Sequence, residues 1–383
     1  MADDLTDTQP IDAVIPAAVF AVDRAIGDLR RGGTVVLIDD AGGASLVLST
    51  EYATASRLAA LAAESGGPVS LVITPQRAQA LGLSAASGPA VAMALPEPLD
   101  VTQIHDLSDP TAPKGDLASE LAALVPGVAQ ARDTAAVALA KLGNLLPAVL
   151  TRSLDEAAIA DLDGWIHQRD LVRVGIADIA HHRDRAATAL DRVSAARVPL
   201  ADAEDATIVA FRPSDGGTEH LAIVIGEPVA AGEPVMVRLH SQCFTGDLIG
   251  SLRCDCGDQL RGAVRQIGAA GAGIILYLAQ EGRGIGLVNK LRAYTLQDQG
   301  LDTFEANEQL GFDADERHYL VAAEMLRQLG FSRIRLLTNN PEKIAALQRS
   351  GIDVVERVPH VFPANGHNAR YLATKASRGG HLI

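Results

Sequence analysis

Short apolar runs alternate with segments of helical period along most of this 383-residue chain, and that alternation confines it to the α/β (α+β) class. A helix over 22–31 is stopped by Gly32-Gly33 and followed by an apolar strand over 34–38. A helix over 52–65 and a strand over 68–74 come next. Residues 96–118, rich in Pro, Asp, Ser and Thr, break the rhythm and read as an irregular loop. It resumes with helices over 134–142 and 157–168, an apolar run over 148–150 and a strand over 171–176. The stretch 195–205, with Pro199 and several acidic residues, is the expected boundary between domains at 1–200 and 201–383. Beyond it, 206–212 and 220–225 flank Ser214-Asp215-Gly216-Gly217 as a β-hairpin. Strands over 234–240, 273–278 and 333–337 then alternate with helices over 259–267, 287–299, 316–329 and 341–349. Two domains are expected, each a mixed sheet packed with helices.

Charge and composition narrow the partners. Aromatics at 3% offer few platforms for stacking bases, and a net charge of -14 repels a phosphate backbone, so no nucleic-acid partner is expected. The charge is uneven: 15 basic residues face 28 acidic ones over 1–207, against 18 and 19 over 208–383. A small anion is better received in the second half. The apolar stretch 11–22 contains Asp12 and follows Asp3, Asp4 and Asp7, unlike the basic start of a signal peptide. No apolar run reaches the roughly 18–20 residues of a membrane span, so no membrane partner is expected. Three cysteines exclude a disulfide framework and suit a reducing, cytoplasmic setting.

Those three, Cys243, Cys254 and Cys256, fall within fourteen residues as C-x10-C-x-C. Packing alone does not explain that clustering. Three thiolates with a fourth position open suit a catalytic Zn²⁺; a structural zinc completed by a His such as His240, or plain buried cysteines, are the other readings. The zinc deaminase pattern, H-x-E with a later P-C-x-x-C, is absent. Gln280-Glu281-Gly282-Arg283-Gly284-Ile285-Gly286-Leu287 joins a strand to a helix, where glycines admit a close ligand and the helix N-terminus favours anions, or simply make a tight turn. It lacks the lysine of a Walker loop. Asp313-Ala314-Asp315-Glu316-Arg317-His318-Tyr319 reads as the start of a helix, where acids also serve as ordinary caps. Thr338-Asn339-Asn340-Pro341-Glu342-Lys343 sets a strand end against a helix N-terminus, a place for phosphate or for a capped helix without a ligand.

In this order the motifs resemble GTP cyclohydrolase II, the first enzyme of riboflavin biosynthesis, over about residues 206–383. The likeness rests on Arg238-Leu239-His240-Ser241, Ser251-Leu252-Arg253-Cys254-Asp255-Cys256-Gly257, Gln280 to Leu287, Asn289-Lys290-Leu291-Arg292-Ala293-Tyr294, Glu305-Ala306-Asn307, Leu336 to Pro341 and the tail Gly380-His381-Leu382. The resemblance implies hydrolysis of GTP to formate, pyrophosphate and 2,5-diamino-6-(5-phosphoribosylamino)pyrimidin-4(3H)-one. It implies one Zn²⁺ per subunit on Cys243, Cys254 and Cys256, activating water for attack on C8 of guanine, Mg²⁺ with the triphosphate, and a homodimer. Contacts to GTP would come from Arg238, Leu239, His240, Ser241, Gln242, Gln259, Glu281, Gly282, Arg283, Thr303, Thr338 and Lys343. Asp315 matches the family's proton acceptor, Arg317 the residue assigned as nucleophile toward the α-phosphate, and Tyr294 a residue that helps the second ring-opening hydrolysis. Gln242 stands where the family commonly has Glu, and Ala279 where it often has Arg.

The first half more faintly resembles 3,4-dihydroxy-2-butanone 4-phosphate synthase, often fused upstream of this enzyme. That family's acidic loop is replaced by Asp39-Asp40-Ala41-Gly42-Gly43-Ala44-Ser45, its His-Thr-Glu by Arg132-Asp133-Thr134, and its later metal-binding Glu by Arg152. Arginines and glycines cannot assemble a magnesium site. The expectation is a catalytically inactive domain kept for folding, dimerisation or regulation.

Overall fold

The computed structural model describes residues 17–83, 88–112, 121, 124–229, 233–364 and, after these, 366–368, 373, 374, 376–378, 380 and 382. Residues 11–16, part of the 96–118 stretch and His381, read above from sequence, lie outside that set. The described residues form two mixed sheets of seven strands each. The first contains β1 (Val35–Ile38), β2 (Ala44–Ser49), β3 (Ser70–Ile73), β4 (Val91–Ala94), β5 (Val125–Gly127), β6 (Ala148–Ser153) and β7 (Val172–Gly175), in the order β5-β4-β3-β6-β2-β1-β7. Only β1 and β7 run parallel; the other pairings are antiparallel. Successive side chains of a strand point to opposite faces, and both faces here are apolar. Val36, Leu46 and Leu71 pack with Leu58, Leu61, Ile104 and Leu107 from the helices Ala55–Ala63 and Val101–Ser108. Val35, Leu37 and Val47 pack with Val22, Leu29, Ala136 and Leu139 from the helices Ala17–Arg30 and Ala131–Leu142.

The second sheet contains β8 (Leu190–Arg197), β9 (Thr207–Pro213), β10 (His220–Ile225), β11 (Val235–Ser241), β12 (Gly273–Leu278), β13 (Arg333–Leu337) and β14 (Asp353–Val358), in the order β14-β13-β11-β12-β10-β9-β8. The strands β12, β11, β13 and β14 are parallel neighbours, and β10, β9 and β8 extend the sheet antiparallel. Val237, Leu239, Ile274 and Leu276 meet Ala322, Met325 and Leu326 of the helix Leu320–Gln328 on one face. Met236 and Ile275 meet Ala263 and Ile267 of the helix Cys256–Ala269 on the other. Each fully buried Leu, Ile or Phe contributes about 1.5–3 kcal/mol, enough to make these central strands a rigid base for whatever extends from their ends.

The chain divides into two compact units, one of Asp184–Leu287 and Arg317–Ile383, the other of Pro16–Arg183 and Val288–Glu316. This division departs from the expected 1–200 and 201–383: β8 pairs with β9, which carries its residues into the unit of the second sheet, and 288–316 belongs with the first sheet. Other departures are local. The polar stretch 96–118 contains the helix Val101–Ser108, because Asp100 caps it by accepting from Thr102 N–H at 2.7 Å. Residues 315–319 precede a helix rather than opening one; the helix there is Leu320–Gln328. Among the described residues no helix is long and apolar enough to cross a membrane.

Candidate active site

β11 sets the site by its alternation. Val235, Val237 and Leu239 enter the core on one face, so Arg238 and His240 share the face of Met236, toward the helix Cys256–Ala269. Past Ser241 the Gln242 N–H bonds the Leu278 carbonyl at 2.8 Å, and Cys243 caps a π-helical turn, Phe244–Leu248, with Sγ accepting from Gly246 N–H at 3.3 Å. Cys254 and Cys256 return at the start of the helix Cys256–Ala269. The three Sγ atoms lie within 4.8 Å of one another, with Cys243 and Cys254 3.8 Å apart.

That spacing discriminates. A disulfide needs sulfurs about 2.05 Å apart, whereas Zn–S bonds of about 2.3 Å in tetrahedral arrangement put sulfurs about 3.8 Å apart. A Cβ on Gly246 would stand 2.7 Å from Cys254 Sγ and 3.1 Å from Cys243 Sγ, so the absence of a side chain there is what lets the sulfurs converge. Crowding disfavours three anions together. The Cys254 thiol is pushed up to about 11, chiefly by its hydrogen bond with Cys243. Cys256 is raised well above an ordinary thiol by hydrogen bonds with Cys243 and Cys254, and by burial. A cation among them reverses that balance, so the donor set fits a divalent metal.

Asp247, buried below the turn, organises the surroundings. Its Oδ2 accepts from Cys243 N–H at 2.9 Å and from the Tyr277 hydroxyl at 3.0 Å, and its Oδ1 lies 3.0 Å from His240 Nε2. The His240 ring stacks on Tyr277 at 5.6 Å, and burial outweighs the Asp247 carboxylate to lower its pKa. With Nε2–H donating to Asp247, Nδ1 of the neutral ring is a buried acceptor without a protein partner.

Cations gather beside this group. Arg238, buried, donates to Leu337 O at 2.9 Å and to Gln259 Oε1 at 2.5 Å, and Gln259 Nε2 donates in turn to Asp255 Oδ2 at 2.5 Å. Burial brings the Arg238 pKa down to about 10, and Arg317 lies close enough to lower it further. Lys343, in the first turn of the helix Pro341–Arg349, donates to Leu239 O at 2.8 Å. Arg317 and Lys343 both lie over the Tyr319 ring, at 5.6 and 5.9 Å. Thr338, at the end of β13, is buried and its hydroxyl accepts from Asn340 N–H at 3.0 Å. Three cations against one buried corner attract an anion with several charges.

After β12 the chain enters the glycine loop, where Gly282, Arg283 and Gly284 have φ of 62°, 60° and 90°. Glu281 ties this loop to the cysteine turn, its Oε2 accepting from Phe244 N–H at 2.6 Å. The structure therefore brings together Arg238, Leu239, His240, Ser241, Gln242, Gln259, Glu281, Gly282, Arg283, Arg317, Thr338 and Lys343 with the three cysteines in one unit. Tyr294, Thr303 and Asp315 are carried by 288–316, within the other. Tyr294 lies on the helix Gly286–Asp298 with Lys290 Nζ at 5.8 Å from its ring, and Thr303 opens the helix Thr303–Gln309.

Asp247, Tyr277, His220 and His360 join these surroundings without standing among the candidate residues that the motifs define. His220 Nδ1 accepts from Ala279 N–H at 3.0 Å ahead of the glycine loop, and burial lowers its pKa to about 4. His360, lowered to about 3 by burial and by Arg238, lies 2.9 Å from Gln259 O and 3.2 Å from Gln266 Oε1. Only Asp247 carried a local signal, as an acid four residues beyond the first cysteine.

Fold and site together define a class: an α/β enzyme with a three-cysteine candidate metal centre beside a buried anion corner. Residues 191–359 match the family model for GTP cyclohydrolase II. The chain is 52% identical over 388 residues to a GTP cyclohydrolase-2 of Azospirillum brasilense, covering 100% of both proteins. It is 38% identical over 398 residues to the riboflavin biosynthesis protein RibBA of Synechocystis sp., covering 95% of this chain and 71% of that protein. Among solved structures it is similar to RibBX, a two-domain 3,4-dihydroxy-2-butanone 4-phosphate synthase from A. baumannii, at 18% identity and a TM-score of 0.35, covering 89% of this chain and 99% of that one. The chain belongs to the GTP cyclohydrolase II family, enzymes of riboflavin biosynthesis.

Proposed function

We propose that this chain hydrolyses GTP to formate, pyrophosphate and 2,5-diamino-6-(5-phosphoribosylamino)pyrimidin-4(3H)-one, with Zn²⁺ held by Cys243, Cys254 and Cys256. The observation that carries the reading is the 3.8 Å sulfur spacing beside a buried corner of Arg238, Arg317 and Lys343. Zinc bound by three thiolates supplies a water with its pKa lowered to about 7, the nucleophile that opening an imidazole ring at C8 demands. The chain's residues do the rest. Arg238, Lys343 and the glycine loop receive the triphosphate, with Mg²⁺ accompanying it. Asp315 accepts the proton, and Tyr294 assists the second opening. Arg317 acts by stabilising charge at the α-phosphate: a guanidinium stays protonated and is a poor nucleophile.

The functional form is proposed to be a cytoplasmic homodimer, and the first half is proposed to carry no magnesium enediolate chemistry. Supporting the latter, Arg132 pairs with Asp39 and donates to Ser45 Oγ at 2.8 Å and Gln130 Oε1 at 2.7 Å. Arg152 donates to Ala62 O at 3.0 Å. In this reading Arg152 stands where the resemblance puts a metal-binding Glu and Arg132 where it puts a His, and neither guanidinium can ligate a cation.

Incubation of the purified protein with GTP, Mg²⁺ and Zn²⁺ tests the reading. Equimolar formate and pyrophosphate with the deformylated pyrimidine, identified by mass, are expected. A formylated product means that only one ring bond is cut, and bound GTP and zinc without turnover means a regulatory GTP-binding protein. In a parallel incubation ribulose 5-phosphate should remain unconsumed; its turnover overturns the inactive first half.

A further inference from the structure

The segment Val288–Glu316 belongs by sequence to the C-terminal half yet packs within the unit built on Pro16–Arg183. Polar contacts fasten it there. Arg292 reaches Glu51 Oε2 through Nη2 and Asp109 Oδ2 through Nε, both at 3.0 Å, and Asn289, fully buried, donates to Asn144 O at 2.9 Å. At the far end Lys141, in the last turn of the helix Ala131–Leu142, bridges Asp313 at 3.0 Å and Glu316 at 2.6 Å. Arg183 backs Glu316 at 3.5 Å. Partly buried ion pairs add little net stability, because desolvation offsets attraction, but removing Lys141 leaves the buried Glu316 carboxylate with less compensation. Their consequence here is geometric: the two carboxylates that grip Lys141 flank Asp315 on either side in the chain.

We infer that the unit Pro16–Arg183 is a positioning scaffold for the segment that carries Tyr294, Thr303 and Asp315, and that Lys141 is the positioning residue through which it sets Asp315. The inference rests on Asp315 as the proton acceptor of the proposed reaction. It gives the first half a task that needs no chemistry of its own.

The test uses full-length protein with GTP as substrate. Lys141→Met should lower kcat for formate release at least tenfold while the KM for GTP and the bound zinc stay within twofold of wild type, and Lys141→Arg should restore most of the rate. Arg169→Ala breaks an ion pair with Glu64 elsewhere in the same unit and should leave kcat unchanged. If Lys141→Met fails to fold, Asp313→Asn, at a half-exposed carboxylate, should fold and lower kcat at least threefold. Wild-type kcat in Lys141→Met, or in Asp313→Asn where that variant is the one tested, overturns the inference, as does an equal loss in Arg169→Ala. Active wild type that is silenced by Cys254→Ser but not by Lys141→Met sinks the scaffold alone. Wild type that releases no formate sinks the proposed reaction and the scaffold with it.

Discussion

Gly246 shows how one residue decides whether three cysteines make a site. Added atoms there meet Cys254 Sγ, Cys256 Cβ and Cys243 Sγ at 2.7, 2.9 and 3.1 Å. The neighbours are the short side chains of the three cysteines, two of them buried. Gly246→Ala should weaken zinc binding ten- to a hundredfold, as disruption around a metal's ligands typically does, with the far-ultraviolet circular dichroism unchanged. Zinc competition against a chelator checks this, and wild-type affinity would contradict it. The cysteines themselves were legible because clustering of a rare residue needs no structure to be noticed. Asp247 was not: its role exists only because the turn Phe244–Leu248 folds its carboxylate back onto Cys243 N–H and beneath His240. His360 meets the carbonyl of Gln259 from 101 residues away, a contact no local spacing encodes.

Helices and strands with a clean period were legible, and those without one were not. The helix Pro341–Arg349 announces itself through Asn340 at the cap and Pro341 behind it. β2 is buried along its whole length, so Ala44–Ser49 shows no alternation to separate strand from loop. The helix Ile176–Thr188 mixes His, Arg and Asp into its turns, and β8 at the sheet edge is half polar, so both passed unnoticed. The glycine loop illustrates an element whose geometry exceeds its pattern. Arg283 adopts a left-handed backbone with φ 60° between two glycines that also do. That conformation costs a side-chain-bearing residue about 1–2 kcal/mol, and glycine would lose about 0.5–1 kcal/mol of this gain to chain entropy. Arg283→Gly should therefore match or slightly exceed wild type in thermal stability while raising the KM for GTP at least tenfold. An unchanged KM would remove Arg283 from the phosphate site.

At the scale of the whole molecule, two domains were legible but their membership was not. Sequence order suggests a cut near residue 200; the strand partner of β8 and the packing of 288–316 move residues across it. Pairing between β8 and β9 and burial of Asn289 are long-range facts, invisible to composition or period. On the proposed reading the first half needs no metal chemistry of its own, because its unit also includes the segment with Tyr294 and Asp315. That reading depends on Cys243, Cys254 and Cys256, which would hold a metal able to supply an activated water. The direct measurement is to strip the protein of metal, return Zn²⁺ in steps, and follow formate release from GTP alongside bound zinc. The rate should be near zero without metal, rise in proportion to bound zinc and level off at one ion per chain, with Cys254→Ser inactive throughout. Full formate release from the metal-free protein, or from Cys254→Ser, would contradict it.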